Sequence, residues 1–384
     1  METFLFYVAL LTLFFFIAFG FVLARGNRSI KFLKDVLVSE RSSSPKVTMI
    51  IPARNEERNI QAALQSILHQ NYGNLEIIVV DDRSTDRTAE ILDRMTHSYP
   101  NFRVFHIAEL PKGWLGKNYA LYAGAQYATG DYLLFTDADV VMNPSTVRKA
   151  INYMLENQLD HIAVGPEVKM PGIFLNMFAL AFTIFFSMYA QPWKAKNFRS
   201  SKYVGMGAFN LVRTDVYRAI GTYQAIAMRP DDDIKLGKLI KKGGYKQEFL
   251  HGGKMIVVEW YSSLKELIEG LMKNSFPGLD YNVSWTISAA LFQLSIFIWP
   301  FFAILFTTGV TQIINLSTIL TIMLINWDNA HFHKAKQWYI IGFPLAVLLF
   351  VYILLKSMVI TLYKDGITWR DTHYSLAELR GNKV

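Results

Sequence analysis

The chain has 384 residues, 39 Lys and Arg against 31 Asp and Glu for a formal charge of +8, 52% hydrophobic residues and no cysteine. Its charged fraction of 18% lies below the roughly 25% usual for soluble domains, and its apolar fraction is slightly high. These figures exclude a disordered chain, a disulfide scaffold and a cysteine-ligated zinc or iron–sulfur centre, and they say nothing of redox compartment.

The apolar excess sits toward the two ends. Thr3–Ala24 runs 22 residues without a charge, enough for a helix to cover a hydrocarbon core of roughly 30 Å. Arg25, Arg28, Lys31, Lys34, Arg41 and Lys46 follow, against Asp35 and Glu40. That surplus of four is half the net charge. Basic residues mark the cytoplasmic flank of a span. Residues 1–25 are therefore expected to be an anchor with its N-terminus outside, residues 26–46 a basic juxtamembrane linker, and the next domain cytoplasmic. A signal peptide carries its positive charge before the apolar run; here it comes after.

Residues 47–170 alternate strand and helix. Val47–Ile51 is a β-branched run after the Ser42–Pro45 linker, and Asn59–His69 has helical apolar spacing. Leu75–Val80, Phe102–Ile107 and Asp131–Phe135 read as further strands, Thr88–Met95 and Asn118–Ala128 as further helices. The pattern predicts an α/β domain, over 47–284, with a parallel sheet covered by helices on both faces. Ligands on such sheets bind at the carboxyl ends of the strands.

Met170–Trp193 is uncharged for 24 residues. Because both of its flanks are expected to build one site, segment 170–193 is read as lying on the membrane rather than across it. Phe174, Phe178, Phe182, Phe185 and Phe186 recur at roughly helical spacing. Asp280 and Asp328 bracket 47 uncharged residues, read as helices near Thr286–Phe306 and Val310–Asn326 joined by Thr307–Gly309. A polar segment, Trp327–Lys336, and a further span from Gln337 to Tyr363 follow. Residues 285–363 thus hold about three transmembrane helices and 364–384 a tail. Four crossings would put the tail outside, yet Lys364, Arg370, Arg380 and Lys383 against Asp365, Asp371 and Glu378 assign it no side. A re-entrant or interfacial segment would return it to the cytoplasm.

Unusual residues fall at the expected strand ends: Pro52-Ala53-Arg54-Asn55-Glu56, then Asp81-Asp82-Arg83-Ser84-Thr85-Asp86, then Thr136-Asp137-Ala138-Asp139. Carboxylates gathered on one sheet edge repel unless a cation lies between them. A divalent metal carrying a diphosphate meets that need, and Mg²⁺ or Mn²⁺ takes oxygen ligands shared with phosphate. A lone Asp-x-Asp is also an ordinary turn, and Asp86 stands where a helix N-cap would.

Together these motifs resemble the nucleotide-sugar glycosyltransferases of family 2. Gly205-Met206-Gly207-Ala208-Phe209-Asn210-Leu211-Val212-Arg213 resembles that family's acceptor-side strand, and Asp231-Asp232-Asp233-Ile234 its acidic pair before a helix. The likeness covers roughly residues 46–276 and implies a glycosyltransferase A (Rossmann-like) domain with flanking transmembrane helices. It implies that Pro52, Ala53, Arg54 and Glu56 line the nucleoside pocket, and that Asp82, or Asp81, holds base or ribose. It implies further that Asp137 and Asp139 bind ribose and metal–diphosphate, that Lys117 approaches the diphosphate, and that Asp233, or Asp232, is the general base. Lys117 also reads as a surface lysine.

The membrane-flanked layout, Trp114-Leu115-Gly116-Lys117-Asn118 and Gly366-Ile367-Thr368-Trp369-Arg370 resemble the subgroup that glycosylates carotenoids, hopanoids and related lipids. Processive synthases and ceramide glucosyltransferases carry an Arg-Trp motif after the acidic pair. Trp260–Phe276 has none, which opposes a polymerising synthase; Lys273 offers one point charge to the diphosphate instead.

The expected activity is inverting, metal-dependent transfer of a hexose, UDP-linked, to a membrane lipid. Other acceptors (ceramide-like, diacylglycerol, polyprenyl phosphate), a polysaccharide synthase and a non-catalytic nucleotide-binding scaffold are the alternatives. No Gly-x-Gly-x-x-Gly follows the first strand, which opposes a dinucleotide oxidoreductase. The basic excess is juxtamembrane, where anionic lipid rather than nucleic acid accounts for it.

Overall fold

The computed structural model describes residues 2–38, 44–369, 372–382 and 384. Glu40, Arg41 and Ser42 of the linker, and Arg370, Asp371 and Lys383 of the tail, lie outside the described residues. The chain divides into two compact units, one built on a sheet and one on apolar helices.

The sheet unit comprises Ile30–Lys169, Pro192–Glu259 and Ala377–Val384. Its strands are β1 (Val47–Ala53), β2 (Leu75–Asp82), β3 (Phe102–Ile107), β4 (Tyr132–Phe135), β5 (Val140–Met142), β6 (His161–Lys169), β7 (Asn210–Arg213) and β8 (Gln247–Glu259). They lie in the order β3-β2-β1-β4-β7-β6-β8-β5. The first four are parallel, as the alternating pattern predicts. The rest of the sheet is mixed: β7 runs antiparallel to both β4 and β6. The reversal has a consequence for the site. Asn210, the first residue of β7, pairs with Phe135 at the carboxyl end of β4, so the segment entering β7 passes beside Asp137.

Alternate residues of β1 serve two cores. Met49 and Ile51 pack with the helix Ile60–Leu68, while Ile50, with Ile78 and Val80, packs with the helix Gly116–Gln126. All are fully buried. Each such side chain contributes roughly 1.5–3 kcal/mol by leaving water. Coverage on both faces is why these strands read as unbroken apolar runs.

The helical unit comprises residues 1–29, 170–191 and 260–376. Residues 260–284, expected with the α/β domain, cluster here. Among the described residues five helices are long and apolar enough to cross a membrane: Glu2–Arg28, Ile173–Lys194, Val283–Phe306, Gly309–Phe332 and Gln337–Tyr363. The third is interrupted by a π-turn at Leu294–Ile298, just before Pro300, which has no N–H to give the ladder. The fourth runs on to Phe332, through the expected polar segment. Asp328 is tolerated there because Arg28 bonds it at 2.9 Å. In Ile173–Ala190, Phe178 and Phe185 are buried, and Phe185 stacks on Phe350 at 5.0 Å. Phe182 and Phe185 thus both lie against Phe350 of another apolar helix.

Candidate active site

Two turns leave the carboxyl ends of β1 and β2 and are tied together. Asn55 N–H donates to Ser84 Oγ at 3.1 Å, Thr85 N–H to Asn55 Oδ1 at 2.8 Å, and Glu56 N–H to Thr88 Oγ1 at 2.8 Å. Asp86 accepts from Thr88 N–H at 2.9 Å and Glu57 N–H at 3.2 Å. It thus caps the following helix, and although burial opposes it, these bonds hold its carboxyl below the usual range. Pro52 and Ala53 lie level with Val80 and Asp81 across the strand pair.

Asp81 and Asp82 are both buried. Asp82 accepts from Arg83 Nε at 2.8 Å and lies 3.6 Å from Arg54 Nη1. A Cβ at position 116 would strike its Oδ2. Glycine there lets the helix Gly116–Gln126 begin directly on this carboxylate, at the end whose dipole favours negative charge. Asp81 accepts from Ser84 N–H at 3.3 Å and bonds His106 Nδ1 at 2.9 Å; His106 Nε2 reaches Asp93 at 3.0 Å. The bond to Asp81 raises the His106 pKa, with burial opposing.

The end of β4 and the start of the helix Asp232–Lys242 meet around Gly207. Gly207 N–H donates to Asp233 Oδ2 at 2.8 Å, and its carbonyl accepts from Asp137 N–H at 3.1 Å. Lys117 Nζ, reaching in from the first turn of its helix, lies 2.7 Å from Asp137 Oδ1 and 3.7 Å from Asp232 Oδ1. Burial alone would lower its pKa; Asp137, Asp232 and Asp233 raise it instead, so the ammonium stays charged. Burial pushes the Asp233 carboxyl up, opposed by Lys117 and by the N–H groups of Ile234 and Gly207. Leu121, Thr136, Asn210 and Tyr223 complete the lining of a small recess over Asp137, Asp232 and Asp233.

The structure therefore brings Lys117, Asp137, Asp232 and Asp233 together, with Arg54, Asp81 and Asp82 at the neighbouring strand ends. Lys273 belongs to the helical unit, where its ammonium lies 3.9 Å over the Trp369 ring. Three residues escaped the sequence reading of roles. Gly207 lies inside a quoted motif, but its peptide's role needs coordinates. Tyr223 leaves no signal in sequence. Asn118 follows Lys117, yet its partners, the carbonyls of Ile226, Ala227 and Arg229, are more than 100 residues away.

The donor set suits a hard cation shared with phosphate. Burial first, then the charges of Asp137 and Glu56, push Asp139 up to about 7, with Lys117 opposing. Among the described residues no three His, Asp or Glu side chains form a ready-made cage. Mg²⁺-type sites commonly use one or two carboxylates and take the rest from phosphate and water.

Residues 48–221 match the model of glycosyl transferase family 2. Residues 48–221, which carry the parallel strands and the acids at their carboxyl edge, are thus a glycosyl transferase family 2 domain. A mannosyltransferase from Pyrobaculum calidifontis, solved with GDP-Man and Mn²⁺, superposes with a TM-score of 0.52 over 94% of this chain and 99% of that one, at 15% identity. That likeness concerns the fold. The chain is 27% identical over 251 residues to a 4,4'-diaponeurosporenoate glycosyltransferase of Staphylococcus haemolyticus, covering 62% of this chain and 63% of the relative. It is 37% identical over 122 residues to the protein of that name from Staphylococcus aureus USA300, covering 31% of each. The chain thus spans less than two-thirds of the length of these curated relatives.

Proposed function

We propose that the chain transfers a hexose from a nucleoside-diphosphate sugar, UDP-linked, to a membrane lipid of the carotenoid class, with inversion at the anomeric carbon. The observation that carries this reading is the junction at Gly207, a single residue whose N–H donates to Asp233 and whose carbonyl accepts from the N–H of Asp137, itself paired with Lys117. A charge-neutralising group and a candidate base thereby face one recess. The names of the Staphylococcus relatives and the five apolar helices support a lipid acceptor and a multi-pass place in the cell membrane, with the sheet unit cytoplasmic.

In the reaction, the acceptor oxygen attacks the anomeric carbon, the bond to the diphosphate oxygen breaks, and nucleoside diphosphate leaves. Asp233 takes the acceptor's proton; Asp232 is the alternative base. A divalent cation, Mn²⁺ or Mg²⁺, held by Asp137 and Asp139, would supply neutralisation of the departing diphosphate. Lys117 adds fixed positive charge beside Asp137. Pro52, Ala53, Arg54, Glu56, Asp81 and Asp82 form the nucleoside side. One displacement with one base leaves no covalent sugar on the enzyme.

The test is expression of wild type and Asp137→Ala in a host making candidate lipids, with lipid extracts compared by mass spectrometry. A hexose adduct present only with wild type supports the reading; no adduct on any acceptor overturns it. Asp233→Asn then reports the acceptor's chemistry. A carboxylate acceptor is already ionised, so transfer remains measurable. A hydroxyl acceptor loses roughly 10²–10⁴-fold with its base.

A further inference from the structure

The chain leaves the helical unit after Leu376 and its last residues, Ala377–Val384, belong to the sheet unit. Asn382 makes the defining contacts. Its Oδ1 accepts from Met228 N–H at 3.1 Å and its Nδ2 donates to the Ala225 carbonyl at 3.1 Å. Val384 packs against the cluster that includes Tyr223 and Ile226, and its carbonyl accepts from Lys238 Nζ at 2.7 Å.

The segment held this way leads straight to the acidic residues. Beyond the short turn Tyr223–Ile226 it has no regular structure. Asn118 Nδ2 holds its other flank, at 2.9 Å from the Ile226 and Arg229 carbonyls and 3.1 Å from that of Ala227. Leu115 N–H adds a bond to Ala227 at 2.9 Å. Arg229 then grips Asp231 with two bonds of 2.9 and 3.0 Å, and Asp232 and Asp233 follow. A loop without its own ladder takes its position from the side chains that satisfy its peptide groups. Here those side chains are Asn118, two residues into the helix that carries Lys117, and Asn382, from the far end of the chain.

We propose that Asn382 is a positioning residue for the reaction. It fixes segment Ala225–Arg229, and so sets Asp232 and Asp233 relative to Lys117 and Asp137. The proposal deepens the glycosyl-transfer reading and rests on it for its kinetic consequence; the mechanical part stands alone. Asn382 is half-exposed, and Asn118 remains when it is removed. Its loss therefore loosens one segment rather than the fold.

The test uses the full chain in phosphatidylglycerol vesicles, with Asn382→Ala and Asn382→Asp. The first readout is hydrogen exchange. In Asn382→Ala the peptide covering 223–233 exchanges roughly fivefold faster or more, while that covering Phe102–Ile107 is unchanged, as local opening requires. Asn382→Asp keeps an acceptor for Met228 N–H, loses the donor to Ala225, and falls between. The second readout is transfer from UDP-glucose with Mn²⁺ to 4,4'-diaponeurosporenoate. In Asn382→Ala kcat falls roughly tenfold, within what a sub-ångström misplacement costs, and the donor KM is unchanged.

Unchanged exchange at 223–233, or a rise shared by 102–107, overturns the proposal. So does faster exchange with full kcat. If wild type transfers nothing, the functional reading falls, and the exchange readout still decides whether Asn382 holds the segment.

Discussion

A single methyl group at position 207 separates the requirements of the site from those of the fold. A Cβ there would lie 2.6 Å from Asp137 Oδ2 and 3.6 Å from Lys117 Nζ. Ordinary contact begins near 3.4 Å, so in Gly207→Ala the Asp137 carboxylate must retreat by about 0.8 Å. It is the far end of a side chain that is 39% exposed, and it can swing outward about its pairing with Lys117. The hydrogen bonds from Gly207 N–H to Asp233 and from Asp137 N–H to the Gly207 carbonyl survive, because alanine keeps both groups. Stability should therefore change by no more than about 1 kcal/mol, while a displacement approaching 1 Å at the reacting centre costs up to roughly 10²-fold in rate. The assay pairs the initial rate of hexose transfer with thermal unfolding in the same vesicles. Gly205→Ala is the contrast: its Cβ would strike the Asp233 carbonyl, which is backbone and cannot turn aside. That variant should lose about 1–3 kcal/mol. A Gly207→Ala enzyme with more than half of wild-type kcat would refute the placement of Asp137 in the reaction.

Two further outcomes follow from the strand ends. Asp82→Asn removes the buried carboxylate charge that lies 3.6 Å from Arg54 Nη1 and accepts from Arg83 Nε; thermal unfolding should show a loss of about 3 kcal/mol, the low end for a broken buried pair. His106 has a raised pKa, held first by its bond to Asp81, so its stabilising charge is fully present below the unfolded value of about 6.5 and is lost as pH rises through the higher folded value. The melting-temperature gap between wild type and His106→Gln should therefore be widest in mildly acidic buffer and close toward alkaline pH; a gap that widens with pH would contradict the bridge between Asp81 and Asp93.

The half of the sheet that was legible is the half built from local units. β1 to β4 alternate with helices, and three of them, β1, β2 and β4, run into acidic motifs, so Glu56, Asp81, Asp137 and Asp139 are legible on one edge. The other half depends on a long excursion. Between β6 and β7 the chain passes through Ile173–Ala190, and nothing in Asn210–Arg213 says that it returns reversed between β4 and β6. The glycines of Gly205-Met206-Gly207 were visible as a pattern, but their reason is steric, set by Asp233 and Asp137 from elsewhere in the chain. Asp82 was read as a donor ligand. The structure gives it two arginines and a helix start, partners that lie at other strand ends and in another turn. The start of Gly116–Gln126 was read two residues late because Leu115 offers no side-chain cap; Asp82 occupies that end instead.

A side for the tail, on which its own charges are silent, is expected from strand pairing if the apolar helices lie in a membrane. β6 and β7 are hydrogen-bonded, His161 to Val212, and two strands of one sheet cannot lie on opposite faces of a bilayer. In a membrane, the helix Ile173–Ala190 between them should therefore enter and leave on the same face. By the same logic Asn382, bonded to Met228, shares a face with Glu259 of β8, so the chain between them crosses an even number of times. It nevertheless holds three helices long enough to cross. Glu2–Arg28 and Gly309–Phe332 run in the same direction, since Gly20 abuts Ile325 and Arg28 lies over Phe332. Both should cross and end on the cytoplasmic face. Val283–Phe306, reversed through the two residues Thr307 and Thr308, makes the second of the pair. On that arrangement Phe343–Tyr363, packed on Ile173–Ala190 through Phe350 and Phe185, is the helix expected not to cross. The chain has no cysteine, so single-cysteine variants report cleanly. In intact cells a membrane-impermeant maleimide should label Thr308→Cys alone, while Lys112→Cys, Lys334→Cys and Gly381→Cys should react only after permeabilisation. Labelling of Gly381→Cys from outside would separate the tail from the sheet unit and would remove the support for Asn382 as well.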